Sequence, residues 1–236
     1  VAISKDIDVV ARRHLAQSRA AGSEDSIENL AAFCRLQFQS WRMDDPGDIL
    51  AWAAADRCLE NPVLRIGEMF AGIGGIGLGA RSGLERAGVR SKIGWQIEVD
   101  EYCQSVLRRH NPSAQIYGDI NELNARDLAP VSIVLMGFPC TDISVAGKGE
   151  GIHGARSGLF FRAWDICMQL RPRPRRIFLE NVPAILVRGL GEVLREITDS
   201  GYDCEWGCLS AADVGARHRR NRWWAVCYPQ QPYLPW

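Results

Sequence analysis

From residue 64 onward, short apolar runs rich in β-branched residues alternate with stretches whose apolar positions recur every three or four residues. The runs predict strands over residues 64–70, 92–98, 114–117, 131–137, 176–180, 202–209 and 223–228. The longer stretches predict helices over 77–87, 101–110, 159–169 and 185–200. Strands separated by helices of this length make βαβ units, which imply an α/β fold with a mainly parallel sheet and helices on both faces. Such sheets bind ligands beyond the carboxyl ends of their strands, so the residues just after each strand carry the most information about chemistry.

The first 62 residues read differently, as helix. Their only glycines are Gly22 and Gly47, and Ser26 can cap a helix in which Ile27, Leu30, Ala31, Cys34 and Phe38 share a face. Pro46-Gly47-Asp48 interrupts that pattern, and residues 49–59 resume it. The expectation is a helical extension over 1–62 that packs on the main domain of 63–236 or on a partner.

Composition narrows the class. A chain of 236 residues with 47% hydrophobic and 24% charged content fits one large globular domain or one domain plus a small appendage, and excludes a disordered tail, a collagen-like repeat or a coiled coil. No apolar run approaches the roughly 18 residues of a membrane span, and the first residues do not read as a signal peptide. A soluble intracellular protein is expected. The 28 basic and 28 acidic residues cancel, which argues against a histone-like binder but leaves local patches open. All basic residues except Lys5, Lys92 and Lys148 are arginines. That bias suits bidentate contacts to phosphate and base edges, although a GC-rich genome produces it too. The eight cysteines form no pair of CxxC motifs, and Cys204 and Cys208 lack further ligands at metal spacing. No metal is expected, and most of these thiols should be buried or half-buried.

The strand ends hold the chemistry. The first strand runs into Glu68-Met69-Phe70-Ala71-Gly72-Ile73-Gly74-Gly75 ahead of a helix. Glycines there bring backbone N–H groups and a helix N-terminus close to a ligand, or else permit close strand–helix packing. Glu98 at the tip of the second strand can accept hydrogen bonds from both hydroxyls of a ribose, and Asp119 after the third can accept one from an exocyclic amine such as adenine N6. Either acid alone is more often a helix cap or a solvated surface group; together, after a glycine turn, they point to an adenosine site. The fourth strand leads to Gly137-Phe138-Pro139-Cys140, a setting at the active edge that can make a thiol nucleophilic. Gly147, Gly149, Gly151 and Gly154 follow within eight residues, suited to a hinged loop that closes on a ligand or to plain flexibility. Glu180-Asn181-Val182 ends the fifth strand, where a carboxyl group could meet a pyrimidine ring nitrogen and amino group. Arginines at 217, 219, 220 and 222 precede the last strand, suited to phosphates or to the active edge.

In this order, these residues resemble the motifs of the DNA (cytosine-5)-methyltransferase family, from about residue 64 to 228. Phe70 to Gly75 resemble its S-adenosylmethionine loop, Glu98 its ribose-binding acid, and Asp119 its adenine contact. Pro139-Cys140 resembles the catalytic Pro-Cys, Glu180-Asn181-Val182 the Glu-Asn-Val motif, and Arg220 and Arg222 the arginines of the Gln-x-Arg-x-Arg stretch. Arg156-Ser157-Gly158-Leu159-Phe160 resembles the segment after the catalytic loop.

The resemblance implies a Rossmann-like methyltransferase fold over 63–236 and S-adenosyl-L-methionine as cofactor, held by Phe70, Ala71, Gly72, Ile73, Gly74, Gly75, Glu98, Val99, Asp119, Ile120 and Pro139. It implies duplex DNA as the partner, its cytosine flipped out, with Ser144, Gly147, Lys148, Arg156 and Asn181 on the DNA. It also implies a catalytic set of Cys140, Glu180, Arg220 and Arg222, and a cytoplasmic place of action in a bacterial or phage-infected cell.

Departures from the pattern are few within this span. His218 stands where the family usually has Gln, Arg217 where it often has Pro, Glu68 for Asp, and Phe138 for a first proline; no catalytic group is lost. The family continues with a target-recognition region and a Gly-Asn-x-x-Pro segment, neither of which is found in these 236 residues. Three readings stay open: the catalytic subunit of a split enzyme whose second subunit brings recognition, a compact methyltransferase acting alone, and a non-catalytic DNA-binding or regulatory relative. RNA also stays open as a substrate.

Overall fold

A computed structural model describes residues 63–139 and 158–230. The helical extension expected over 1–62 lies outside the described residues. Within them are strands β1 (Leu64–Met69), β2 (Ser91–Ile97), β3 (Gln115–Tyr117), β4 (Ile133–Gly137), β5 (Arg176–Asn181), β6 (Tyr202–Ser210) and β7 (Asn221–Pro229). The helices are α1 (Gly75–Arg86), α2 (Glu101–His110), α3 (Gly158–Gln169), α4 (Ile185–Arg188) and α5 (Leu190–Asp199). Each predicted strand is present, its ends shifted by no more than two residues.

All seven strands join one sheet in the order β3-β2-β1-β4-β5-β7-β6. The run from β3 to β5 is parallel, whereas β7 is antiparallel to both β5 and β6. The chain therefore winds outward in one direction through β2 and β3, then returns to start β4 on the other side of β1. The point where the winding reverses lies between β1 and β4, and their carboxyl ends open a crevice there. Because β7 runs the other way, its beginning is what reaches that same edge.

Central strands buried on both faces read as continuous apolar runs. In β4, Ile133 and Leu135 belong to a small core with Leu64, Ile66, Val89 and Ile93, against which Ile76, Ala80 and Leu84 of the α1 region pack. Val134 and Met136 point the other way, into a larger core containing Phe160, Ala163, Trp164 and Cys167 of α3. This alternation covers the sheet with helices on both faces. Aromatic rings in the larger core run from Phe138 to Phe160 at 5.0 Å, on to Trp164 at 6.0 Å and Tyr202 at 5.7 Å. Their polar tips are satisfied: Trp164 Nε1 donates to Ser200 Oγ at 2.8 Å and the Tyr202 hydroxyl to the Pro174 carbonyl at 2.7 Å. Trp95 also explains one glycine, since a Cβ on Gly67 would fall 2.2 Å from its ring.

The helix expected over 185–200 is two helices instead. Gly189 leaves helical geometry between α4 and α5, consistent with the cost of glycine in a helix interior, about 1 kcal/mol relative to alanine. Helix α5 then buries Leu190, Val193 and Ile197, one face at helical spacing. No helix among the described residues is long and apolar enough to cross a membrane.

Candidate active site

The carboxyl edge of the sheet gathers the ends of β1, β2, β3, β4 and β5 with the beginning of β7. At the end of β1 the backbone turns sharply: Phe70, Gly72 and Gly74 have φ of 56°, 54° and 87°. For Phe70 this left-handed conformation is uncommon and strained; Gly74 enters α1 as its N-cap and offers no side-chain cap. The turn is closed by Gly74 N–H donating to the Ala71 carbonyl at 2.8 Å, and is tied to β2 by Ala71 N–H donating to the Ile97 carbonyl at 3.1 Å.

Glu68 takes over the capping from inside. It is fully buried. Its Oε1 accepts from Gly77 N–H at 2.7 Å, and its Oε2 from Gln96 Nε2 at 2.6 Å. Gln96 Oε1 in turn accepts from Asn111 Nδ2 at 3.2 Å. A Cβ on Gly77 would lie 2.6 Å from Glu68 Oε2, so this approach requires glycine. Burial raises the Glu68 carboxyl above its ordinary range, partly countered by the Gln96 and Gly77 hydrogen bonds.

Glu98 closes the turn from outside. Its Oε2 accepts from Gly72 N–H at 2.7 Å and its Oε1 from Asp100 N–H at 2.9 Å. Its backbone is anchored on both sides, with N–H donating to the Tyr117 carbonyl at 3.0 Å and the carbonyl accepting from Gln104 Nε2 at 2.7 Å. Asp100 caps α2 by accepting from Cys103 N–H at 2.8 Å, the main reason its carboxyl sits below the ordinary range. Beside Glu98, the side chains of Ile73 and Val99 are 61% and 70% exposed. A Cβ on either Gly72 or Gly75 would meet nothing within 4 Å, so the turn faces open space. Half-buried Asp119 lies after β3, its Oδ1 accepting from the backbone and side chain of Asn121 at 2.8 and 3.0 Å. The side chains of Ala71 and Ile120 are buried.

The other half is built on β4, β5 and β7. Glu180 Oε1 lies 2.7 Å from Arg222 Nε, with both side chains 21% exposed. Pairing of Glu180 opposite Trp224 across the antiparallel β5–β7 ladder brings Arg222 to the β5 end. Asn181, which the resemblance sets on DNA, has a buried side chain. Its Nδ2 donates to the Phe138 carbonyl at 3.1 Å while its Oδ1 accepts from Val182 N–H at 2.7 Å. With its amide committed at both ends, Asn181 ties the exit of β5 to the chain entering Pro139. The paired arginines also part company: Arg222 meets Glu180, while Arg220 is exposed on the turn before β7. Cys140, Ser144, Gly147, Lys148 and Arg156 lie outside the described residues, although half-buried Pro139 shows where the chain leaves β4.

Sequence reasoning passed over Gln96, which donates to the Glu68 carboxylate, Asn111, which orients Gln96, and Gln104, which anchors the Glu98 backbone carbonyl. Gln96 left a signal, as a carboxamide inside the apolar strand Ile93-Gly94-Trp95-Gln96-Ile97. Gln104 and Asn111 left none, because polar residues on a surface helix or just past its end are the ordinary case.

The C-5 cytosine-specific DNA methylase family model matches residues 64–234. The chain belongs to this family. It is 35% identical over 165 residues to the type II methyltransferase M2.BsuMI of Bacillus subtilis (strain 168), covering 67% of this chain and 40% of that protein. It is 34% identical over 163 residues to the type II methyltransferase M.HaeII of Haemophilus aegyptius, covering 67% of this chain and 48% of that protein. The chain thus spans less than half the length of these two family members. The crystal structure of the S. pombe Dnmt2 methyltransferase superposes with a TM-score of 0.60 at 22% identity, over 73% of this chain and 53% of that one. That likeness speaks for the fold, a Rossmann-like methyltransferase sheet.

Proposed function

We propose that this family member transfers a methyl group from S-adenosyl-L-methionine to carbon 5 of a cytosine flipped out of DNA. The observation that carries this reading is the Glu180–Arg222 pair at the end of β5, tied through Asn181 to the strand exit that leads into Cys140. The open glycine turn fits the cofactor: Glu98 stands beside it for the ribose hydroxyls, with exposed Ile73 and Val99 as apolar flanks for a purine. Asp119 would take the adenine amino group, and Pro139 would border the methyl donor. When bound, the cofactor supplies a methyl group activated on a sulfonium.

In this scheme the Cys140 thiolate adds to C6 of the ring, while Glu180 hydrogen-bonds N3 and the exocyclic amino group. Arg222 holds the Glu180 carboxyl in position. Carbon 5 becomes nucleophilic and would take the methyl as its bond to the sulfonium sulfur breaks; the C5 proton then passes to solvent and Cys140 leaves as its thiolate, which restores the aromatic ring. Ser144, Gly147, Lys148 and Arg156 are proposed to contact the DNA. Arg220, exposed before β7, is proposed to approach a nearby phosphate.

Incubation with duplex DNA and S-adenosyl-L-methionine, with and without a candidate companion polypeptide, tests the reading by mass-spectrometric detection of 5-methylcytosine. Product in either arm that disappears with Cys140→Ala supports it; product only with the companion supports a split enzyme. An undiminished rate with Cys140→Ala overturns the nucleophile, and methylated RNA with unmodified DNA overturns the substrate.

A further inference from the structure

We propose that Cys204 and Cys227 form a redox-modification site, in which a hydroperoxide converts the two thiols into a disulfide that staples β6 to β7. Their sulfur atoms lie 3.6 Å apart, and the two residues face each other across the antiparallel ladder.

The register decides that the pair suits a disulfide. Gln230 N–H donates to the Gly201 carbonyl at 2.9 Å, which makes that opposed pair a hydrogen-bonded one. The next pair, Tyr202 with Pro229, is non-hydrogen-bonded, as it must be with a proline that has no N–H. Hydrogen-bonded and non-hydrogen-bonded pairs alternate, and the register runs without a shift. Two residues further on, Cys204 and Cys227 are therefore again a non-hydrogen-bonded pair. Such pairs bring Cα atoms to about 4.5 Å, with side chains at their closest, inside the range of about 4.4–6.8 Å that disulfides span. Side-chain rotation then has to close only the remaining gap between the sulfurs.

Exposure assigns the order of events. Cys204 is half-buried and Cys227 fully buried, so the oxidant reaches Cys204 first. Burial also pushes the Cys227 thiol well above its ordinary range, which disfavours its thiolate as the first to react. The Cys204 thiol takes an oxygen atom from the hydroperoxide, giving a sulfenic acid and the corresponding alcohol or water. The Cys227 sulfur then attacks the Cys204 sulfur; a sulfur–sulfur bond forms, and the sulfenic oxygen leaves as water with the Cys227 proton. One peroxide is reduced and two thiols are oxidised. The product joins the edge strand of the sheet to the strand that also carries Arg222.

The test treats the full chain with hydrogen peroxide, removes the oxidant, alkylates under denaturing conditions and digests with trypsin. Arginines between residues 204 and 227 let trypsin separate the two peptides unless they are linked. The expected result is a peptide pair joined through Cys204 and Cys227, released by dithiothreitol, with a higher urea midpoint for the oxidised chain. In Cys227→Ala, dimedone should trap Cys204 as a sulfenic acid that the parent chain does not accumulate. Recovery of both cysteines as alkylated thiols after peroxide overturns the site. So does Cys204 joined to any other cysteine. The linked-peptide readout uses the parent chain, so it decides even where the variant folds poorly.

Discussion

Glu68 and Glu98, on either side of the glycine turn, accept hydrogen bonds from backbone N–H groups and a carboxamide. Glu180, across the crevice, instead faces the guanidinium of Arg222. Neutral donors orient a carboxylate and set the shape of a backbone turn without adding charge. A charged partner also offsets the desolvation of an ion held in a half-buried place. The first arrangement suits a rigid cradle. The second suits a group that, on the proposed reading, must meet a ring whose charge changes during reaction. One carboxylate residue type thus serves two tasks, and its donors decide which.

The contrast can be broken from the catalytic side first. Glu180→Gln keeps the volume but leaves Arg222 without its carboxylate; kcat for DNA methylation should fall by about 10²–10³-fold, the usual scale for losing a group that stabilises developing charge. The KM for S-adenosyl-L-methionine should stay nearly constant. A steady-state titration of both substrates reads the two numbers separately, and a change confined to KM would remove Glu180 from the chemistry.

Glu98→Gln should do the reverse on a smaller scale. It weakens charge-assisted hydrogen bonds to a diol, and KM for the cofactor should rise about 10–100-fold while kcat changes little. Equilibrium binding of S-adenosylhomocysteine gives the same comparison without turnover. Unchanged binding would mean that Glu98 serves only the backbone, through Gly72 and Asp100.

The smallest effect belongs to Glu68, and it is one of stability. In Glu68→Gln the amide NH2 must face one of the two donors, Gly77 N–H or Gln96 Nε2, at a cost of about 1–2 kcal/mol by urea denaturation. The difference should also depend on pH. The folded-state carboxyl titrates above the ordinary value of 4.5, so between these two values the folded chain binds more protons than the unfolded one. The Glu68 contribution is therefore greatest below pH 4.5 and is lost as pH rises through the raised folded value. Relative to Glu68→Gln, the parent chain should lose stability across that window. A parallel pH course for the two chains would show that Gln96 and Gly77 offset the burial fully.

Much of this architecture was legible before any coordinates. Apolar runs bounded by glycine, proline and asparagine mark the strands because a parallel sheet buried on both faces needs such runs, and the chemistry then follows at their carboxyl ends. Helix 185–200 was misread because Gly189 is a single residue within an otherwise regular amphipathic pattern. The hydrogen bonds of Asn181 were hidden for a different reason. A polar residue beside Glu180 looks like a contact group, and only the position of Phe138, just past the end of β4, shows that its amide hydrogen-bonds inside.

Sequence alone determined the succession of elements, the glycine turn, and which strand ends carry acids, because these depend on residue type and local spacing. Tertiary structure decided the insertion of β7 antiparallel between β5 and β6, the choice of Arg222 rather than Arg220 as the partner of Glu180, and the capping of α1 by a buried acid nine residues before Gly77. Each of these joins groups that are brought together by strand order and register. Local propensity cannot encode such a meeting; it exists only once the sheet has closed and the unsatisfied polar groups at its edge have found each other.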